Sequence, residues 1–358
     1  MSSEYGKNIK ISIFGESHGK AIGVSIDGIP AGEEIDMDTL LSFMARRAPG
    51  RSKLATKRCE SDTPVFLSGL TNGITNGFPI CAIIENSNAH SSDYAGFEIT
   101  PRPSHADYVA SLRYNGFADM RGSGHFSGRL TASLCIAGGI AKQILAKQNI
   151  FVGAHISSIC NVKDSSFPLY PTSELFNEIA SKEIAVIDDE KGEKMRAVIE
   201  QAASECDSVG GTVECAVVGF PASIGSPMFD GIENRLALAL FGIPAVKGLE
   251  FGSGFSASET KGSQNNDAFE VQNGKVVTKT NNNGGIIGGI SNGMPITLRV
   301  AFKPTPSIAK KQETVNLETL ENTTISIGGR HDPCIVLRAV AVVEAVVASV
   351  MLDLLQER

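Results

Sequence analysis

From Lys10 to Phe14 the chain alternates, Ile11 and Ile13 against Lys10 and Ser12, and a period of two predicts a strand with one buried face. Ile22, Val24 and Ile26 alternate with Gly23, Ser25 and Asp27, so a second strand hairpins with the first and stops at Asp27-Gly28-Ile29-Pro30. Asp36 is placed to cap a helix bearing Leu40, Leu41 and Met44, which Pro49-Gly50 terminates. Strand-like runs follow at residues 65–70 and 78–85, then a long polar loop at 86–100. Ser104 with Asp107 three residues on predicts a short helix with His105 in its first turn. Leu130, Leu134, Ala137, Ala141 and Ile144 share one face of a long helix.

The middle reads as strands at Phe151–Ile159 and 212–220 with helices at Ser173–Ser181 and 191–205, and offers little chemistry. Val213, Cys215 and Val217 alternate, which makes Cys215 a core thiol. A helix with Leu236 and Leu240 ends at Pro244, and residues 295–302 alternate as a strand. Asp332 before Pro333 predicts a helix start, with Asp332 as its cap. The run 339–352 is apolar nearly all round, so this helix belongs at the centre.

Composition narrows the classes. With 358 residues and 42% hydrophobic content, a large core is available, and length alone permits one domain or two. A formal charge of −7 argues against a general nucleic-acid binder. Seven dispersed cysteines without a CxxC pair fit reduced thiols in a cytosol, with no disulfide framework or metal site. The first residues form no apolar signal region, and the 339–352 run contains Glu344 and is too short for a bilayer, so a soluble cytoplasmic protein is expected.

Candidate chemistry sits in glycine-flanked polar knots. Phe14-Gly15-Glu16-Ser17-His18-Gly19 leaves a serine and a histidine exposed at a strand end. Arg46, Arg47, Arg51, Lys53, Lys57 and Arg58 form a basic run without an acid, either a solvated face or a clamp for a phosphorylated or polycarboxylate ligand. His105, beside backbone N–H groups at a helix start, marks an anion site. The loop from Asp119 to Arg129 is rich in glycine and cations, yet matches neither phosphate-loop nor dinucleotide fingerprints. Gly284-Gly285-Ile286-Ile287-Gly288-Gly289 reads as a packed loop, and Lys303-Pro304-Thr305-Pro306-Ser307 as a stiff turn presenting a lysine and hydroxyls.

Taken together and in this order, these pieces make the chain resemble the chorismate synthase family over nearly its whole length. The segments that carry the likeness are Gly15-Glu16-Ser17-His18-Gly19, Arg46-Arg47-Ala48-Pro49-Gly50, His105-Ala106-Asp107, Ala245-Val246-Lys247-Gly248, Gly262-Ser263-Gln264-Asn265, the 284–290 diglycine loop, Lys303 to Ser307, and Gly329-Arg330-His331-Asp332-Pro333-Cys334. The resemblance implies an α+β fold of a single domain over 1–358, a β-α-β sandwich with helices packed between antiparallel sheets. It implies a homotetramer, without nucleic-acid or membrane partners. It also implies a lyase that eliminates phosphate from 5-enolpyruvylshikimate 3-phosphate to give chorismate, using reduced FMN without net redox change, with NADPH as a possible second cofactor.

By the same resemblance His105 protonates the leaving phosphate, His18 donates to the flavin, and Asp332 relays a proton. Ser17 and Ser127 support flavin and substrate, and Arg46 and Arg47 hold anions together with His18 and His105. Flavin contacts fall on His125, Phe126, Ser127, Pro244, Ala245, Gly288, Lys303, Pro304, Thr305, Pro306, Ser307 and Arg330. Nicotinamide-cofactor contacts fall on Arg47 and Lys53.

Departures from the family pattern are specific. Ser104 replaces a usual glycine, and Lys53 replaces an arginine, keeping charge without the fork. The usual Arg-Gly-Gly-Gly-Arg-Ser-Ser-Ala-Arg-Glu reads Arg121-Gly122-Ser123-Gly124-His125-Phe126-Ser127-Gly128-Arg129-Leu130. His125 and Phe126 are therefore not expected to make the family's polar contacts. Two alternatives stay open: an NADPH-dependent flavin reductase, and a flavin- or phosphate-binding relative without lyase activity.

Overall fold

The computed structural model describes residues 3–50, 54, 62–86, 96–328 and 332–357. Lys53, Arg330, His331 and the basic residues Arg51, Lys57 and Arg58 lie outside them.

Two five-stranded antiparallel sheets enclose a pair of helices. The first sheet runs in the order Glu4–Tyr5, Lys10–Gly15, Ala21–Asp27, Ile80–Glu85, Val65–Ser68. The expected hairpin is its centre, with Ile11 paired to Ile26 and Ile13 to Val24. The second sheet runs Val246–Phe251, Ile296–Phe302, Gly211–Val218, Phe151–Ile159, Val162–Lys163. Between them lie the helices Thr131–Ala146, against the first sheet, and Val336–Leu355, against the second. This is the expected α+β sandwich, and one hydrophobic cluster runs through both sheets.

The Val336 helix is buried along nearly its whole length because helix covers one side and sheet the other. Its polar members each have partners. Glu344 accepts from Arg46 Nη1 at 2.9 Å and Nη2 at 2.6 Å, and pairs with Lys142. Burial alone would push this carboxyl up, but the two cations more than offset that and hold it below its ordinary value. Asp353 accepts backbone N–H groups of Lys7, Asn8 and Ile9 and the Arg235 guanidinium, which ties the start of the chain to the last helix.

The two helices touch at Gly138. A methyl there would stand 2.1 Å from Ala345 Cα, so only glycine admits the neighbouring backbone. Several boundaries moved. The Asp36 cap is as expected, accepting from Thr39 N at 2.9 Å. The last helix, in contrast, begins at Val336 with Ile335 as its cap residue, so Asp332 is not the N-cap. The short helix after Arg102 begins at Asp107, which leaves His105 just ahead of it rather than in its first turn.

The Gly211–Val218 strand departs from simple alternation: residues 213–217 are all buried. One face meets the Val336 helix and carries the inert Cys215, whose thiol burial pushes well up. The other holds a group that the sequence did not suggest. His155 Nε2 lies 2.7 Å from Glu214 Oε2 and its Nδ1 3.0 Å from Asp164 Oδ2. Burial would lower the imidazole pKa, but hydrogen bonds to the two carboxylates outweigh it and hold it above the ordinary value.

Two outcomes follow from this packing. Gly138→Ala gains about 1 kcal/mol of helix propensity but incurs an overpacking cost of roughly 1–3 kcal/mol, and with backbone as the obstacle the cost wins. The denaturant midpoint should fall. His155 has a raised folded pKa, so its contribution is fully present below about pH 6.5 and is lost as pH rises through the raised value. Unfolding free energy measured from pH 6 to 9 should decline, and His155→Gln should flatten that decline.

Candidate active site

A cavity of about 580 Å³ opens where both central helices begin. Its wall is assembled from six distant segments: Arg47 to Pro49, Arg102 to Ala106, the 122–131 turn, 241–247, 302–307, and Asp332 to Val342. Its size falls in the range of small-molecule and cofactor sites.

The Arg121–Phe126 turn is shaped by consecutive positive φ angles at Gly122 (60°), Ser123 (74°) and Gly124 (54°). Gly122 is needed for space as well as for its angle. A Cβ there would stand 2.2 Å from the His18 ring and 2.9 Å from Ser17 Oγ. His18 and Ser17 therefore pack behind Gly122, and Ser17 N donates to Gly124 O at 3.1 Å. They border the cavity rather than line it.

Cations dominate the wall. Among the described residues Arg47, Arg102, Arg129, Lys247, Lys303 and Arg338 line it, against the one carboxylate of Asp332, with Asp62 and Asp107 in support behind. Asp62 bridges Arg47 Nη1, at 2.7 Å, and Arg129 Nη1. Asp332 Oδ2 accepts from Arg338 Nη1 at 2.8 Å, and Arg338 Nε donates to Arg47 O at 2.8 Å. Burial first, and then Arg47, push the Arg338 guanidinium below its usual value. Burial and neighbouring Lys247 do the same to Lys303.

His105 has a support of its own. Its Nδ1 lies 2.7 Å from Asp107 Oδ1, and Asp107 is gripped by Arg102 through N, Nε and Nη2 at 3.0, 2.8 and 2.8 Å. Arg102 is stacked on Phe97, 4.5 Å from the ring centre, and its Nη1 donates to Ser307 Oγ at 3.1 Å. Burial is the main force pushing the His105 pKa down, with Arg102 and Lys303 adding to it against the pull of Asp107.

The expected site residues are largely gathered here. Arg47, His105, His125, Phe126, Ser127, Pro244, Ala245, Lys303, Thr305, Pro306, Ser307 and Asp332 all line the cavity. Pro304 belongs to the same turn without lining it. Two further expected residues lie outside the wall. Arg46 points to Glu344 and is absent from the wall, because a buried carboxylate claims its fork. Gly288 is the exposed turn of the hairpin Ile286–Ile287 with Ile290–Ser291, also outside the wall. Arg47 lines the cavity and gives four of its five N–H donors to Thr131, Asp62, Gly128 and Arg129, which holds its guanidinium against the protein. Lys53 and Arg330 lie outside the described residues.

The altered loop makes contacts of its own within the protein. His125 places Nδ1 2.8 Å from Gly15 O and Nε2 2.8 Å from Ser3 Oγ, so both nitrogens hold protein. Phe126 meets the Tyr114 ring edge-on at 6.2 Å. Arg338 was missed by the sequence reading, although an arginine in the first turn of an otherwise apolar helix is a signal. Arg102 and Asp107 were read only as neighbours of a helix start.

The wall suits a flavin phosphate beside an anionic substrate. It has surplus positive charge, backbone that can approach closely at Gly122, and the Thr305 hydroxyl, whose Oγ1 is buried without a partner among the described residues. The Arg46–Glu344 pair gives a direct outcome. Arg46→Met should destabilise the fold by about 3 kcal/mol, measured by denaturant unfolding, while KM of the folded enzyme stays unchanged.

The family model described as chorismate synthase matches residues 9–356. A chorismate synthase of Lancefieldella parvula is 46% identical, with 99% of this chain and 96% of the relative covered. One of Thermococcus gammatolerans is 47% identical, covering 99% and 97%. A crystal structure of chorismate synthase superposes with a TM-score of 0.77 at 27% identity, covering 98% of this chain and 93% of that one.

Proposed function

The chain belongs to the chorismate synthase family, an enzyme family of chorismate biosynthesis, and on that premise we propose that its cavity carries out the anti 1,4-elimination of phosphate from 5-enolpyruvylshikimate 3-phosphate with reduced FMN bound. The observation that supports this reading is that His105 and Asp332 face one cationic cavity from opposite ends of the sequence.

The reaction breaks a C–O bond to phosphate and a C–H bond at C6, and the C6 proton is not acidic. Reduced flavin, when bound, lends the substrate ring electron density and recovers it, with no net redox change. The chain's own residues handle charge and protons. The surplus cations draw in and hold the phosphate and carboxylates. His105 has Nδ1 held by Asp107, so Nε2 is the atom that delivers a proton to the departing phosphate. Asp332, oriented by Arg338, is the final acceptor of the proton lost from C6. Ser127 accepts from Arg129 N at 3.3 Å, which leaves its O–H to donate into the cavity. His18 reaches the site from behind Gly122. The family's homotetrameric assembly and a cytoplasmic location are carried over on the same premise. No helix among the described residues is long and apolar enough to cross a membrane.

A second reading has one observation in its favour: both nitrogens of His125 are engaged by protein, so this loop offers a cofactor phosphate less than the family's usual arginine. It describes a flavin-binding relative, or an NADPH-dependent flavin reductase, without lyase activity. An anaerobic assay with pre-reduced FMN and the enolpyruvyl substrate separates the two, and chorismate and free phosphate should appear together. His105→Ala should slow phosphate release by roughly 10²- to 10⁴-fold while FMN still binds. Asp332→Asn should lose most activity with the fold intact, since Asp332 does not cap the helix. Flavin binding without phosphate release by the unmodified enzyme would favour the second reading.

A further inference from the structure

Two residues before the short helix, a histidine at the cavity wall leans on a buried ion pair. Arg102 and Asp107 are nearly inaccessible, with side chains 2% and 3% exposed, whereas His105 is 13% exposed and lines the cavity. We propose that Asp107, clamped by Arg102, is a positioning residue that fixes His105 as the Nδ1–H tautomer and so aims an unprotonated Nε2 at the phosphorylated substrate. The inference deepens the elimination reading and rests on it for the identity of the substrate.

The hydrogen-bond inventory decides the tautomer. Asp107 Oδ2 is filled by Arg102 N and Nε, and Oδ1 by Arg102 Nη2. His105 Nδ1 then stands 2.7 Å from Oδ1. An unprotonated Nδ1 would set its lone pair against a carboxylate oxygen at that distance, which is repulsive. A protonated Nδ1 donates a charge-assisted bond instead. Arg102 Nη2 also lies 3.1 Å from Nδ1, but its second proton has Ser123 Oγ at 3.3 Å. Nδ1–H turns the 2.7 Å approach to Oδ1 into a hydrogen bond and leaves both Arg102 Nη2 protons with oxygen acceptors, whereas Nε2–H sets a lone pair against the carboxylate.

Among the described residues three charged groups face the ring: Asp107 and Arg102 from its own turn, and Lys303 from across the cavity. Without a ligand, burial and the two cations favour neutral imidazole. A phosphate dianion against Nε2 adds the opposite charge and draws a proton onto that atom, while Asp107 stabilises the imidazolium so formed. The histidine thus becomes acidic only once the group to be protonated has arrived.

Asp107→Asn tests this without removing the turn. The two donors from Arg102 N and Nε hold the amide oxygen on their side, which points the NH2 group at His105 Nδ1 and reverses the tautomer. Nitrogen-15 NMR of the histidine rings, with His105→Ala as the assignment control, reads tautomer and titration directly and needs no turnover. The unmodified enzyme should show Nδ1–H, a midpoint below 6.5, and an upward shift on adding inorganic phosphate. Asp107→Asn should show Nε2–H and lose the phosphate-induced shift. In the anaerobic assay its kcat should fall by roughly 10²- to 10⁴-fold with KM nearly unchanged, and Asp107→Glu should restore part of it. An Nε2–H tautomer in the unmodified enzyme would overturn the proposal, as would an Asp107→Asn variant with unchanged ring shifts and pH profile. If the ring signals behave as stated and no chorismate forms, the elimination reading fails and the tautomer assignment stands.

Discussion

The approach of two helices at Gly138 is the constraint on which the molecule rests. It brings the backbone of one helix onto Ala345 of the other, so that each helix covers one sheet while packing closely on its neighbour. The same contact fixes the distance between the two helix beginnings, and it is there that the cavity opens. Thr131 and Arg129 come from one beginning, Asp332 and Arg338 from the other. Helix N-termini also carry partial positive charge, so the site has a favourable potential for anions before any side chain is counted.

Around that opening, buried charge serves two ends. Glu344 with Arg46 and Lys142, and His155 with Asp164 and Glu214, lock helices and loops onto the core away from the cavity. Asp62 with Arg47 and Arg129, and Asp332 with Arg338, do similar work at its wall, but with more cation than anion. The difference lies in what is left over. Away from the cavity the groups answer one another, and at the wall they leave charge for a ligand.

Periodicity carried most of the fold. The first hairpin, the Asp36 helix and the two central helices were legible because each buries one face or is buried entirely, and the apolar spacing records that. The site was legible only as a set of glycine-flanked knots whose joint order resembles one family. Pairings between distant residues left no local trace. Nothing near Arg46 announces Glu344, and nothing between Phe151 and Phe220 places His155 against Asp164 and Glu214. Asp332 shows the opposite hazard: a good cap by position was drawn instead to an arginine six residues on. Asp107 likewise looked like half of a capping box and proved to be the partner of a histidine.

The placement of charge has a consequence for traffic. The whole chain carries −7, yet the hollow at the helix beginnings is lined mainly by cations. Seen from afar the protein repels an incoming polyanion, and only within about a Debye length, ~8 Å at physiological ionic strength, does the throat attract it. Dissolved ions quench the distant repulsion before the local pull. Moderate salt therefore quickens capture of a small anion, while a long anionic polymer, unable to leave the outer field, is turned away.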